Sequence, residues 1–110
     1  MKTKVKILKK KIAILISGTG SNMEAIIKDS ILNNHPGIVK FVLSNKADAL
    51  GLIKAKNLGI KTLFFPIDKN HSLEMFEKKL QNLLTIKQID LLCLAGFMKI
   101  LSKNFIQNYK

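Results

Sequence analysis

Apolar positions along the chain fall into two alternating kinds of run. Four runs are short and nearly unbroken: "KIAILIS" (11–17), "IVKFVLS" (38–44), "IKTLFF" (60–65) and "DLLCLAG" (90–96). Near-continuous apolarity over that length is what a strand covered on both faces requires. Between them the apolar residues recur every three or four positions instead. In "SNMEAIIKDSILNN" (21–34) the stripe is Met23, Ile26, Ile27 and Ile31, with Ser21 and Glu24 spaced as a capping box and "HPG" (35–37) as the break. "DALGLIKAKNLG" (48–59) turns Leu52, Ala55 and Leu58 inward, with Gly59 as the residue just past the helix end. The strongest stripe lies in "HSLEMFEKKLQNLLTIKQ" (71–88), where it is made of Leu73, Phe76, Leu80, Leu83 and Leu84. Ser102 then suits the cap of a last short helix carrying Phe105, Ile106 and Tyr109.

Strands separated by helices of this length make βαβ units with right-handed crossovers, hence a parallel sheet. The expected fold is α/β, a Rossmann-like sheet of strand order 3-2-1-4 with flanking helices. In that order the chain reverses direction between the first and fourth strands. A ligand crevice then lies beyond their carboxyl ends. The loops that meet there are "SGTGSN" and "LAGFMKIL", the two most unusual stretches in the chain.

The first loop has the chemistry of an anion cradle. Gly18 and Gly20 allow backbone angles and a close approach that a side chain would forbid. Backbone N–H groups at the loop and at the helix start then face one small volume beside the positive end of the helix dipole. A dinucleotide suits the loop less well, because Met23 stands where a third glycine would be and "LSNK" lacks the acid that would grip a ribose. Nor does a Lys-Ser/Thr pair follow, as a Walker loop needs. The pattern points to a single phosphate on a small molecule, bound by Gly18, Gly20, Ser21 and Asn22. Two plainer readings stay open: a simple tight turn, and a Ser21 hydroxyl used only for capping.

Composition narrows the class. The 110 residues suit a domain over 11–110 behind a basic tail over 1–10. No apolar run nears the roughly 18 residues that cross a bilayer, and the lone Cys93 fits a reducing cytoplasm. A net charge of +12 invites nucleic acid, yet there is no arginine, and the lysines are scattered apart from six in the first eleven residues. A specific nucleic-acid role is therefore not expected, and a diffuse lysine coat gives weak, salt-sensitive contacts. His35 and His71 read as exposed polar residues and Cys93 as packing, leaving no catalytic constellation and no metal site.

"LISGTGSNMEAII", "VLSNKADALGLIKAKNLGI" and "LLCLAGFMKILSKNFI" together closely resemble the start of the folate-dependent glycinamide ribonucleotide formyltransferases. The resemblance runs from Lys11 to Tyr109. It implies formyl transfer from 10-formyltetrahydrofolate, the co-substrate, to the amine of glycinamide ribonucleotide in purine synthesis, with no metal. It also implies that Gly20, Ser21 and Asn22 hold the substrate phosphate. Met98, Lys99, Ile100 and Leu101 would line the folate pocket, supported by Leu94 and Phe97. Read by residue type alone, that cluster is core packing. A basic residue that neighbours folate in many relatives matches Leu73 here, so its role does not transfer. The resemblance places catalysis on a later Asn-x-His-Pro-Ser segment and a later Asp, stabilising the oxyanion and assisting proton transfer. None of these is in the 110 residues. The expectation is an amino-terminal half, inactive alone, with an open edge on its fourth strand that favours self-association or a complementing half. The alternative is a non-catalytic phosphate-binding module or a gene relic.

Overall fold

The computed structural model describes residues 10–32, 37–97, 99, 101–103 and 105. It contains strands β1 (Lys10–Ile16), β2 (Gly37–Ser44), β3 (Lys61–Phe64) and β4 (Leu91–Leu94). Three helices alternate with them: α1 (Ser21–Leu32), α2 (Leu50–Asn57) and α3 (Leu73–Ile86). All pairings are parallel and the sheet order is β3-β2-β1-β4, as the alternation of patterns predicts. Among the described residues no helix is long and apolar enough to cross a membrane.

The sheet is sandwiched between two helical layers, which is why β1 is buried on both faces. Ile12, Ile14 and Ile16 meet Met23 and Ile27 of α1 and Ala55 of α2 on one side. Ala13 and Leu15 meet Phe76, Leu80 and Leu84 of α3 on the other. Each such large side chain taken out of water contributes about 2 kcal/mol, so docking rather than helix propensity holds α3 in place. Ile31 departs from its predicted place, being 58% exposed near the end of α1. A helical stripe drifts sideways over successive turns, and by its last turn α1 has turned Ile31 away from the sheet.

Alternation along β2 is broken once. The register runs from Ile12↔Val39 directly to Ala13↔Phe41, leaving Lys40 as an unpaired bulge residue. Val39 consequently faces the α1–α2 layer while Phe41, two residues on, faces α3. The helix ends are also locally specified. Gly59, at φ +81°, and Ile60 donate to Lys56 and Ala55, closing α2 as Gly59 predicts. Ser72 caps α3 by accepting from the Met75 amide at 3.1 Å. At the chain's far end, the Phe105 amide donates to the Ser102 hydroxyl at 3.1 Å, the expected cap; Ile106 and Tyr109 lie outside the described residues.

Candidate functional site

The loop after β1 is held by backbone packed on backbone. Gly20 adopts φ +75°, and a Cβ there would meet the Gly51 Cα at 2.8 Å. Gly51, in the first turn of α2, donates its N–H to the Gly18 carbonyl at 3.0 Å. Ala49 gives α2 no side-chain cap, so a carbonyl from the neighbouring loop satisfies that amide instead. Below the loop, the buried Ser17 hydroxyl donates to the Asn45 amide oxygen at 2.8 Å, tying the ends of β1 and β2 together. Gly18 itself is exposed, with nothing near where a Cβ would go.

The capping box does not form. The Gly20 carbonyl accepts the first helical bond, from the Glu24 amide at 2.8 Å, so Ser21 is already inside α1. The Glu24 carboxylate turns to Lys28, 3.4 Å away. An i,i+4 ion pair thus draws the one acid of the first turn toward the next turn of the helix. Among the described residues the Ser21 and Asn22 side chains make no hydrogen bond, and both residues are exposed. First-turn N–H groups have no intrahelical acceptor either.

These groups open into a cavity of about 380 Å3 formed by Ser17–Asn22 together with Lys46, Ala95 and Gly96. Ala95 and Gly96 follow β4, so the cavity spans the expected crevice between β1 and β4. Among the described residues Lys46 is the only charged one lining it. A cation, a helix dipole and two unengaged polar side chains give the hollow a chemistry suited to a compact anion. Among the described residues no group of His, Cys, Asp or Glu could hold a metal ion.

The second loop is anchored by side chains. Phe97 stacks on Phe76, with ring centroids 5.6 Å apart, while Leu101 and Phe105 are buried in the α3-side core. From α3, the buried Glu77 accepts the Ser102 N–H on one oxygen and the Ser102 hydroxyl, at 2.7 Å, on the other. Of the four residues expected at a folate, Met98 and Ile100 lie outside the described residues and Lys99 is exposed. Leu101 points into the core, so its backbone is what it can offer a ligand. Leu94 is 53% exposed at the rim of β4.

The remaining candidates sit elsewhere. The Asp68 carboxylate accepts from the His71 Nδ1 at 2.9 Å in an exposed turn, and His71 does not line the cavity. His35 lies outside the described residues. Cys93 is half-buried, and burial pushes its thiol pKa up, the reverse of what a nucleophile needs.

Sequence reading missed Gly51, Asn45, Lys46 and Glu77. Glu77 alone left a readable sign, because it lies four residues after Leu73 and three before Leu80, on the apolar stripe.

Comparison with known proteins finds relatives in sequence and in fold. Phosphoribosylglycinamide formyltransferase of Escherichia coli (strain K12) is 42% identical over 98 residues, which are 89% of this chain and 46% of that protein. The trifunctional purine biosynthetic protein adenosine-3 of Drosophila melanogaster is 40% identical over 105 residues, 93% of this chain and 8% of that protein. The crystal structure of phosphoribosylglycinamide formyltransferase from Brucella melitensis superposes with a TM-score of 0.86 at 39% identity, covering 93% of this chain and 53% of that one. The chain thus spans about half the length of the two single-function relatives. The family described as formyl transferase matches residues 10–110. With nearly every residue inside that match, the chain belongs to the formyl transferase family.

Proposed function

We propose that this chain supplies the substrate-phosphate site and one wall of the folate site of a phosphoribosylglycinamide formyltransferase. In this reading Gly18, Gly20, Ser21 and Asn22 hold the phosphate of glycinamide ribonucleotide, and Lys46 adds the charge at the mouth of the cavity. The formyl donor, 10-formyltetrahydrofolate, lies against Met98, Lys99, Ile100 and Leu101. The observation that carries the reading is the crevice itself: unengaged Ser21 and Asn22 at a helix start, facing Gly96 across the switch point. Residues 1–10 act as a basic tail to a domain over 11–110, and the activity belongs to cytoplasmic purine synthesis.

Calorimetric titration of the purified chain with glycinamide ribonucleotide tests the reading. One-to-one binding is expected, falling about tenfold in Ser21→Ala or Asn22→Ala as a charge-assisted hydrogen bond is lost. Folded protein that takes up no ribonucleotide would overturn it. The chain alone is expected to form no formylated product, since the Asn-x-His-Pro-Ser segment is not among its residues. Half-exposed Leu91 and Leu94 on the edge strand β4 support self-association or capture of a complementing chain. A dilution-stable monomer in size-exclusion chromatography counts against the self-association.

A further inference from the structure

The end of the sheet remote from the glycine loop carries a second cavity, of about 290 Å3, between β2, β3 and α3. Phe41, Leu63 and Leu83 make its apolar lining, and Lys40, Lys61 and Lys87 its charged one. Lys61 opens β3 and pairs in register with Phe41, so Lys40 stands beside it on the neighbouring strand. Lys87 arrives from a third element, as the C-cap of α3. Among the described residues no acid lines the hollow, and none of the three lysines has an ion-pair partner.

Ordinary packing does not account for this grouping. A regular β2 would pair residue 40 with Ala13, whose side chain lies under α3. The bulge gives that inward place to Phe41 and leaves Lys40 exposed at the cavity. Like charges on adjacent strands repel. The negative end of the α3 dipole explains one cation, Lys87, but not the other two.

We propose that this cavity binds a small amphipathic anion: one flat, ring-sized apolar body carrying a single carboxylate or phosphate monoester. The apolar lining takes the ring and the lysines take the charge. Its volume of about 290 Å3 lies just below the ~300–1,000 Å3 usual for small-molecule pockets, which favours a single ring over a larger ligand. The assignment does not depend on the proposed formyl transfer.

Amide NMR titrations of the whole chain at physiological salt test it, with phenyl phosphate, benzoate, benzyl alcohol and inorganic phosphate as probes. Either anionic ring is expected to give saturable shifts at Phe41, Lys61, Leu63 and Leu83, and the tighter of the two identifies the head group. Benzyl alcohol and inorganic phosphate, each lacking one half of the chemistry, are expected to bind there at least about tenfold more weakly. Lys40→Gln and Lys61→Gln, both at exposed positions, should each weaken the anionic ring about tenfold while leaving the glycine-loop amides responsive to inorganic phosphate. The proposal fails if benzyl alcohol matches benzoate, if the shifts never saturate, or if both variants bind as the parent does.

Discussion

Two loops meet at the carboxyl end of the sheet, and they are built in opposite ways. Ser17–Asn22 owes its shape to missing side chains: Gly20 lies against Gly51, and the Gly18 carbonyl serves α2. Gly96–Phe105 owes its shape to side chains: Phe97 on Phe76, Leu101 and Phe105 in the core, and Ser102 on Glu77. The difference decides what each can give a ligand. A loop fixed through its backbone keeps Ser21 and Asn22 free to bind. Among the described residues, a loop fixed through its side chains offers its backbone and the exposed Lys99 and Lys103. One tolerates no added Cβ at Gly20, and the other tolerates no lost anchor.

Gly20→Ala should break the first arrangement most severely. The methyl group must adopt a left-handed φ and sit 2.8 Å from a backbone carbon that cannot swing aside. Together these cost about 4 kcal/mol of stability. Gly18→Ala, two residues away in open space, should cost under about 0.5 kcal/mol. Paired chemical-denaturation curves check this contrast, and equal losses would mean that the Gly20–Gly51 contact does not shape the loop.

Glu77→Ala tests the second arrangement. It strands the Ser102 N–H and hydroxyl in a half-buried place, at about 2–3 kcal/mol for lost charge-assisted bonds. Hydrogen exchange should quicken across 97–105 while the amides of 17–22 keep their protection. Uniform loosening of both loops would contradict the separation drawn here.

A third loop at the same end offers the smallest effect. Asp68 is exposed, and its carboxyl is held below its ordinary value of 3.8 by the His71 side chain first and the Asn70 amide second. A lowered folded-state pKa means that the contribution is present above the unfolded value and is lost as pH falls through the folded one. In His71→Ala the Asp68 titration midpoint, followed through its carboxyl carbon by NMR, should move back toward 3.8. An unmoved midpoint would remove His71 as the cause.

Much of this molecule is legible in the residue order, for local reasons. Strands covered on both faces read as short unbroken apolar runs and helices as apolar positions three or four apart, so the alternation of β1 to β4 with α1 to α3 could be read directly. So could the end of α2 at Gly59, since a left-handed position favours glycine. From the Rossmann-like pattern came the order β3-β2-β1-β4, and from the order came the place of the crevice. The capping box misled because Ser21 and Glu24 have the right spacing but Gly20 takes the cap position.

What the tertiary structure alone decided are the contacts between residues distant in sequence. Gly51 looks like an indifferent helix residue until the glycine loop is laid across it. Asn45 and Lys46 follow a strand whose end is near β1 only once the sheet forms. Glu77 is one more acid on a charged helix until Ser102 comes back to meet it. Lys40 is one surface lysine among many until the sheet sets it beside Lys61 and Lys87 at one cavity. Periodicity and turn chemistry act over a few residues and can be read in order along the chain. Close approach between elements depends on the positions of both at once, and no single stretch of sequence contains it.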